Sequence, residues 1–248
     1  MMHNSFVSVR RVTDERPISY RDADIDLTGL LVWDEARPGP RPGIMLIHGG
    51  AGLDAHAREQ AHRYAQLGYA VLACDMFGAG VAGDRTRVMA LVTALRDDPA
   101  LLVRRGQAGL TALAACPEVS ENLGAIGFCF GGLAALALAR AGAGLRGVVS
   151  IHGSLATTKP AEPATVVPRI LVCHGAVDPH VPMADVLTFA DEMNRVDADW
   201  QLIMYGRAAH GFTHTNATPG AVPGVAYDRL ADARSFAATS AFLAELLT

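Results

Sequence analysis

The residues best suited to chemistry centre on Cys129, in the run Gly127-Phe128-Cys129-Phe130-Gly131-Gly132. An apolar stretch with Leu123, Ala125 and Ile126 precedes it, and the alanine- and leucine-rich segment Leu133 to Arg140 follows. This is the pattern of a nucleophile elbow, a strained strand-to-helix turn in which flanking glycines are needed because backbone segments come too close for a Cβ. A cysteine at a helix N-terminus gains thiolate character from the backbone N–H groups and the helix dipole, so it can attack a carbonyl carbon. Cysteine is also among the most buried residue types, and a Gly-Gly pair after a strand is equally compatible with close packing. The rest of the sequence decides between these readings.

A nucleophile of this kind needs a base and an orienting acid, which follow an elbow in the order nucleophile, acid, histidine. Cys129, Asp178 and His210 occur in that order, each just beyond an expected strand. The histidine would take the thiol proton and later give one to the leaving group, while the aspartate fixes the imidazole tautomer. The product of attack is an acyl-cysteine that water hydrolyses. Its oxyanion needs N–H donors, expected from Phe130 and from Gly50 in the turn His48-Gly49-Gly50-Ala51-Gly52. Asp75 is expected to cap or position its own loop. His174, His180, His210 and His214 lack the spacing of a metal-binding helix, so no metal is expected. Phe128, Phe130 and Phe212 are candidates to line a substrate pocket, with core packing as the alternative for at least one.

Positioning these residues requires a sheet whose strands end at one edge. Ile44 to Ile47 and Ala70 to Ala73 are continuous apolar runs of the kind buried on both faces of a parallel sheet. Leu123–Gly127, Gly147–Ile151, Arg169–Cys173 and Trp200–Tyr205 add further strands, and Phe6–Val12 with Ile18–Trp33 alternate as half-buried antiparallel strands would. Helices are expected over Asp54–Leu67, Arg87–Leu95, Pro99–Ala115, Leu133–Arg140, Pro182–Met193 and Tyr227–Leu247, with Ala36–Gly43 a turn. Alternation of this kind predicts an α/β fold, a mostly parallel central sheet of about seven to eight strands flanked by helices on both faces. Ligands bind such sheets at the carboxyl ends of the strands, where His48, Asp75, Cys129, His152, Asp178 and His210 fall.

The chain has 248 residues, 50% of them hydrophobic and 19% charged, with a formal net charge of −4, which argues against a nucleic-acid surface. It reads as one domain over residues 1–248, with residues 1–15 a loosely attached N-terminal strand. Four scattered cysteines form no CxxC pair and suit reduced thiols. With no secretory h-region and no apolar run near the roughly 18 residues needed to span a bilayer, the expectation is a cytoplasmic protein without a membrane partner.

With these residues in place the sequence resembles the dienelactone hydrolase (carboxymethylenebutenolidase) family of α/β-hydrolases, from about Ile18 to the C-terminal helix. The resemblance rests on Gly127 to Gly132, on His174-Gly175-Ala176-Val177-Asp178-Pro179-His180-Val181-Pro182, and on Ala209-His210-Gly211-Phe212-Thr213. It implies an α/β-hydrolase fold, a Cys129–His210–Asp178 triad, a small ester or lactone as substrate, no cofactor, and a monomer or homodimer. Three positions depart from the family pattern. Gly49 stands where the family keeps a glutamate that pairs with the resting thiol, so Cys129 is expected to pair with His210 directly. His214 and the neighbourhood of Ala79 replace two substrate-binding arginines, and Arg85, Arg87 and Arg207 are the candidates to substitute. These departures argue against dienelactone itself. With Gly49, Ala51, Phe128, Phe212 and His214, those arginines make up the expected substrate-binding set. They also motivate a second reading, a binding or sensor protein on the same fold without turnover. A third, redox sensing through Cys129, is disfavoured by the lack of a nearby resolving cysteine.

Overall fold

The computed structural model describes residues 13–247. Eight strands form one sheet: β1 (Asp14–Asp22), β2 (Ile25–Trp33), β3 (Arg41–Ile47), β4 (Ala70–Cys74), β5 (Val119–Phe128), β6 (Gly147–Ile151), β7 (Arg169–Gly175) and β8 (Trp200–Tyr205). Their order is β1-β2-β4-β3-β5-β6-β7-β8. β1 and β2 form an antiparallel hairpin and β2 joins β4 antiparallel, while every pairing from β4 to β8 is parallel. The fold is the expected mostly parallel α/β sheet with helices on both faces.

Six helices cover it: α1 (Ala55–Ala65), α2 (Arg85–Asp97), α3 (Pro99–Ala114), α4 (Phe130–Arg140), α5 (Met183–Arg195) and α6 (Arg229–Leu247). Four start on an aspartate whose carboxylate accepts backbone N–H groups of the first turn, Asp228 taking those of Leu230 and Ala231 at the start of α6. Asp54 takes that of Ala57, Asp84 those of Thr86 and Arg87, and Asp98 that of Leu101, with Pro99 set in the first turn of α3. Strand alternation sorts the core into two layers. Ile44 and Leu46 pack with Ala61 and Tyr64 of α1 and Leu243 of α6, whereas Met45 and Ile47 pack with Leu110 of α3 and Leu136 of α4.

Two expectations change at the N-terminal side. The alternating run Ile18–Trp33 is not one strand: the chain reverses at Ala23 (φ 51°), and the first strand begins at Asp14. The proline-rich turn ends sooner than expected because β3 already starts at Arg41, where Arg41 pairs in register with Val119. The expected strand Phe6–Val12 lies outside the described residues.

Candidate active site

β5 runs into α4 through Cys129, whose φ of 54° and ψ of −116° make it the sharp bend between them. A non-glycine residue in this region is strained by about 1–3 kcal/mol, and the neighbouring glycines make it possible. A Cβ on Gly127 would strike the Gly131 carbonyl, and one on Gly131 would strike the carbonyl of Ile47. The bend leaves the N-terminus of α4 without a side-chain cap and directs the cysteine sulfur out from the sheet edge.

The ends of β7 and β8 supply the facing groups. His210 Nε2 lies 3.1 Å from Cys129 Sγ, and His210 Nδ1 lies 2.8 Å from Asp178 Oδ2. Asp178 is buried and its second oxygen accepts the backbone N–H of His180 at 2.8 Å. The thiol thus pairs with His210 directly. Burial pushes the Cys129 thiol up, but His210 and the backbone N–H groups of Gly50 and Phe130 outweigh it and bring the thiol below its ordinary value. Burial likewise pulls His210 down, and its bonds to Asp178 and Cys129 reverse this to about 10. Both shifts favour a thiolate–imidazolium pair. Asp178 is held below the usual carboxylate range because His210 more than offsets its desolvation.

The Gly50 N–H, one of the groups that favour the thiolate, belongs to a peptide that is fixed from behind. His48 is fully buried, with Nδ1 2.7 Å from the Gly49 carbonyl oxygen and Nε2 3.1 Å from the Met76 backbone N–H. An N–H can only donate and a carbonyl only accept, so His48 is neutral with its proton on Nδ1. Burial lowers its pKa in agreement. With the Gly49 carbonyl held on one side, the trans peptide turns the Gly50 N–H to the other, toward Cys129. The Met76 carbonyl accepts from Arg105 at 2.8 Å, and Arg105 pairs with buried Asp22 at 2.6 Å, which anchors the support to the β1 edge.

A second polar chain lies behind the cysteine. The Cys129 backbone N–H approaches His152 Nδ1 at 3.2 Å, His152 Nε2 lies 2.9 Å from Thr213 Oγ1, and the same hydroxyl is 3.0 Å from His56 Nε2. The imidazole of His56 stacks on that of His214 at 3.7 Å. Burial leads the lowering of all three pKa values, to about 3 for His56, and neighbouring imidazoles add to it, so these rings are neutral. Sequence reasoning gave His152 only as a strand-end residue and missed His56, which has no local signal.

Of the expected substrate-binding residues, Gly49 and His214 border Cys129. A Cβ at Gly49 would lie 3.4 Å from Cys129 Cβ and 3.9 Å from His214 Nε2. Ala51 is exposed on the adjacent turn. Phe128 and Phe212 are buried in the core, and Phe130 packs against Phe77, so these rings serve packing. Arg87 is engaged by Asp84 at 3.4 Å and by the Gly80 carbonyl, while Arg85 and Arg207 are exposed; none of the three pairs with Cys129, His210 or Asp178. Asp75 accepts the N–H groups of Phe77 and Gly78 and so holds its own loop. Among the described residues no group of three or more His, Cys, Asp or Glu side chains is arranged to hold a metal, all four cysteines are free, and no helix is long and apolar enough to cross a membrane.

Comparison with known proteins gives this arrangement a lineage. The chain is similar to the crystal structure of a dienelactone hydrolase-like promiscuous phosphotriesterase from metagenomic libraries, at 39% identity over 95% of this chain and 99% of that one, with a TM-score of 0.89. The dienelactone hydrolase of Anabaena variabilis shares the fold at 23% identity, covering 95% and 99% of the two chains, with a TM-score of 0.71. An uncharacterized Caenorhabditis elegans protein is 41% identical over 145 residues, 57% of this chain and 91% of its own length. The family model for dienelactone hydrolases matches residues 27–247, and the chain belongs to the dienelactone hydrolase family.

Proposed function

We propose that this family member hydrolyses small neutral esters or lactones through an acyl-cysteine on Cys129, with His210 as general acid–base and Asp178 as its orienting partner. One observation supports the reading above the others: the two ring nitrogens of His210 join Cys129 Sγ at 3.1 Å to Asp178 Oδ2 at 2.8 Å. The thiolate attacks the carbonyl carbon and the carbonyl π pair moves to oxygen, where the two N–H groups stabilise the oxyanion. The oxyanion collapses, the C–O bond to the leaving group breaks, and the imidazolium proton goes to the departing alcohol. Neutral His210 then takes a proton from water as the hydroxide adds to the thioester, and the acid departs with the thiolate–imidazolium pair restored. Asp178 keeps the imidazole oriented throughout.

The similarity to a promiscuous phosphotriesterase favours neutral phosphotriesters as an additional substrate class, since attack at phosphorus would use the same sulfur and the same two donors. The test is intact-mass analysis after mixing with p-nitrophenyl esters, lactones and a p-nitrophenyl phosphotriester. The expected result is release of p-nitrophenol by the wild type, a Cys129 adduct that accumulates in His210→Ala, and neither in Cys129→Ala. Ligand binding with turnover no faster than buffer, and no adduct, would favour the sensor reading instead.

A further inference from the structure

The space left by the missing side chain of Gly49 borders the nucleophile on a side that no catalytic group occupies. A Cβ there would meet Cys129 Cβ at 3.4 Å, the Phe128 carbonyl oxygen at 3.5 Å and His214 Nε2 at 3.9 Å. These are ordinary van der Waals separations, so the position is open by sequence and is not crowded shut.

His214 faces this space with its hydrogen-bonding capacity unused. Its ring is held by stacking on His56 at 3.7 Å and 21° between planes, and His56 is held in turn by Thr213 Oγ1 and edge-on by Phe128. Neither ring nitrogen of His214 has a hydrogen-bond partner among the described residues. A neutral imidazole offers one donor and one acceptor, and a half-buried ring that gives neither to the protein has both to offer a ligand atom. Around a carbon bonded to Cys129 Sγ, the oxyanion is claimed by Gly50 and Phe130 and the leaving oxygen by His210. The acyl chain takes the remaining direction, bordered by Gly49 and His214.

We propose that Gly49 and His214 form an acyl subsite selecting esters with an oxygen attached to the carbon next to the reacting carbonyl, with His214 Nε2–H donating to that oxygen. The subsite rests on Cys129 being the nucleophile. It makes His214 a specificity-determining residue for a neutral hydrogen-bonding acyl group.

An isosteric pair tests it: p-nitrophenyl methoxyacetate and p-nitrophenyl butanoate differ by one oxygen for one methylene, at the position attached to the α-carbon. Their intrinsic reactivities differ but cancel when the kcat/KM ratio is compared between variants. The ratio of methoxyacetate to butanoate is expected to fall about tenfold in His214→Phe, which keeps a ring on His56, and to recover in part in His214→Gln, which keeps a donor. Gly49→Ala, which the spacing tolerates, is expected to lower kcat/KM for both longer esters relative to p-nitrophenyl acetate by threefold or more. An unchanged ratio in His214→Phe, with turnover intact, overturns the subsite alone. No turnover and no Cys129 adduct in the wild type overturns the reading of Cys129 on which it stands.

Discussion

The two ends of α4 are built on opposite principles. At its N-terminus Cys129 occupies a strained φ of 54°, no side chain caps the helix, and the Phe130 N–H, with that of Gly50 from the facing loop, favours a thiolate. At its C-terminus Arg140 meets buried Glu192 through two bonds of 2.8 Å, donates to the Leu155 carbonyl at 2.9 Å, and Glu192 also accepts the Ala161 N–H. There the charge complements the helix dipole, and burial of Glu192 is outweighed by Arg140, which keeps its carboxyl ionised. One end faces the sulfur with backbone donors and no cap, and the other ties the helix to α5 and the 155–161 loop. Stability at one end makes strain at the other tolerable.

Cys129→Ala should break the comparison most sharply in activity. Ester turnover is expected to drop by a factor on the order of 10³ or more while the thermal midpoint holds or rises, because only the reacting atom is lost. Glu192→Ala should do the reverse: about 3–5 kcal/mol of stability lost in urea unfolding, with kcat per folded molecule retained. The double replacement Arg140→Met with Glu192→Leu should recover only part of that loss, since no charge is left buried alone but the Leu155 carbonyl and the Ala161 N–H lose their partners. His48→Ala should lower kcat by about tenfold or more with a smaller effect on KM, because the Gly49–Gly50 peptide loses the bond that aims its N–H.

The ionic pair itself can be sharpened by pH. Alkylation of Cys129 by iodoacetamide is expected to titrate below the roughly 8.5 of a free thiol. In His210→Ala the midpoint should move above that value, since burial then acts without its counterweight. His210, raised to about 10 when folded, contributes stability that is complete below about pH 6.5 and lost as pH rises through about 10. A wild-type excess of stability over Asp178→Asn that grew above pH 10 would contradict this. The smallest effect is expected at the partly exposed pair Arg16–Glu118, 2.9 Å apart, where Arg16→Ala should cost under about 1 kcal/mol.

Much of the candidate site's arrangement was legible because its signals are local. The glycines at 127, 131 and 132 announce the bend through sterics that act within a few residues, and Asp178 and His210 fall just past β7 and β8, whose parallel pairing brings their ends to one edge. The hairpin was less legible: Ile18–Trp33 keeps its alternation through the reversal at Ala23 and carries no glycine or proline there to mark it.

What the sequence determined by itself was therefore the order of strands and helices, the elbow, and the succession of cysteine, aspartate and histidine at strand ends. Hydrophobic period and glycine sterics are properties of short stretches of chain. What only the tertiary structure decided was the surroundings of those residues. Thr213 is shared by His56, 157 residues away, and His152; the His48–Met76 bond crosses 28 residues; Arg105 reaches Asp22 across 83; and the Gly49 space opens toward His214. Such contacts depend on side chains meeting across the packed layers of the sheet, and no local pattern encodes which imidazole will face which partner.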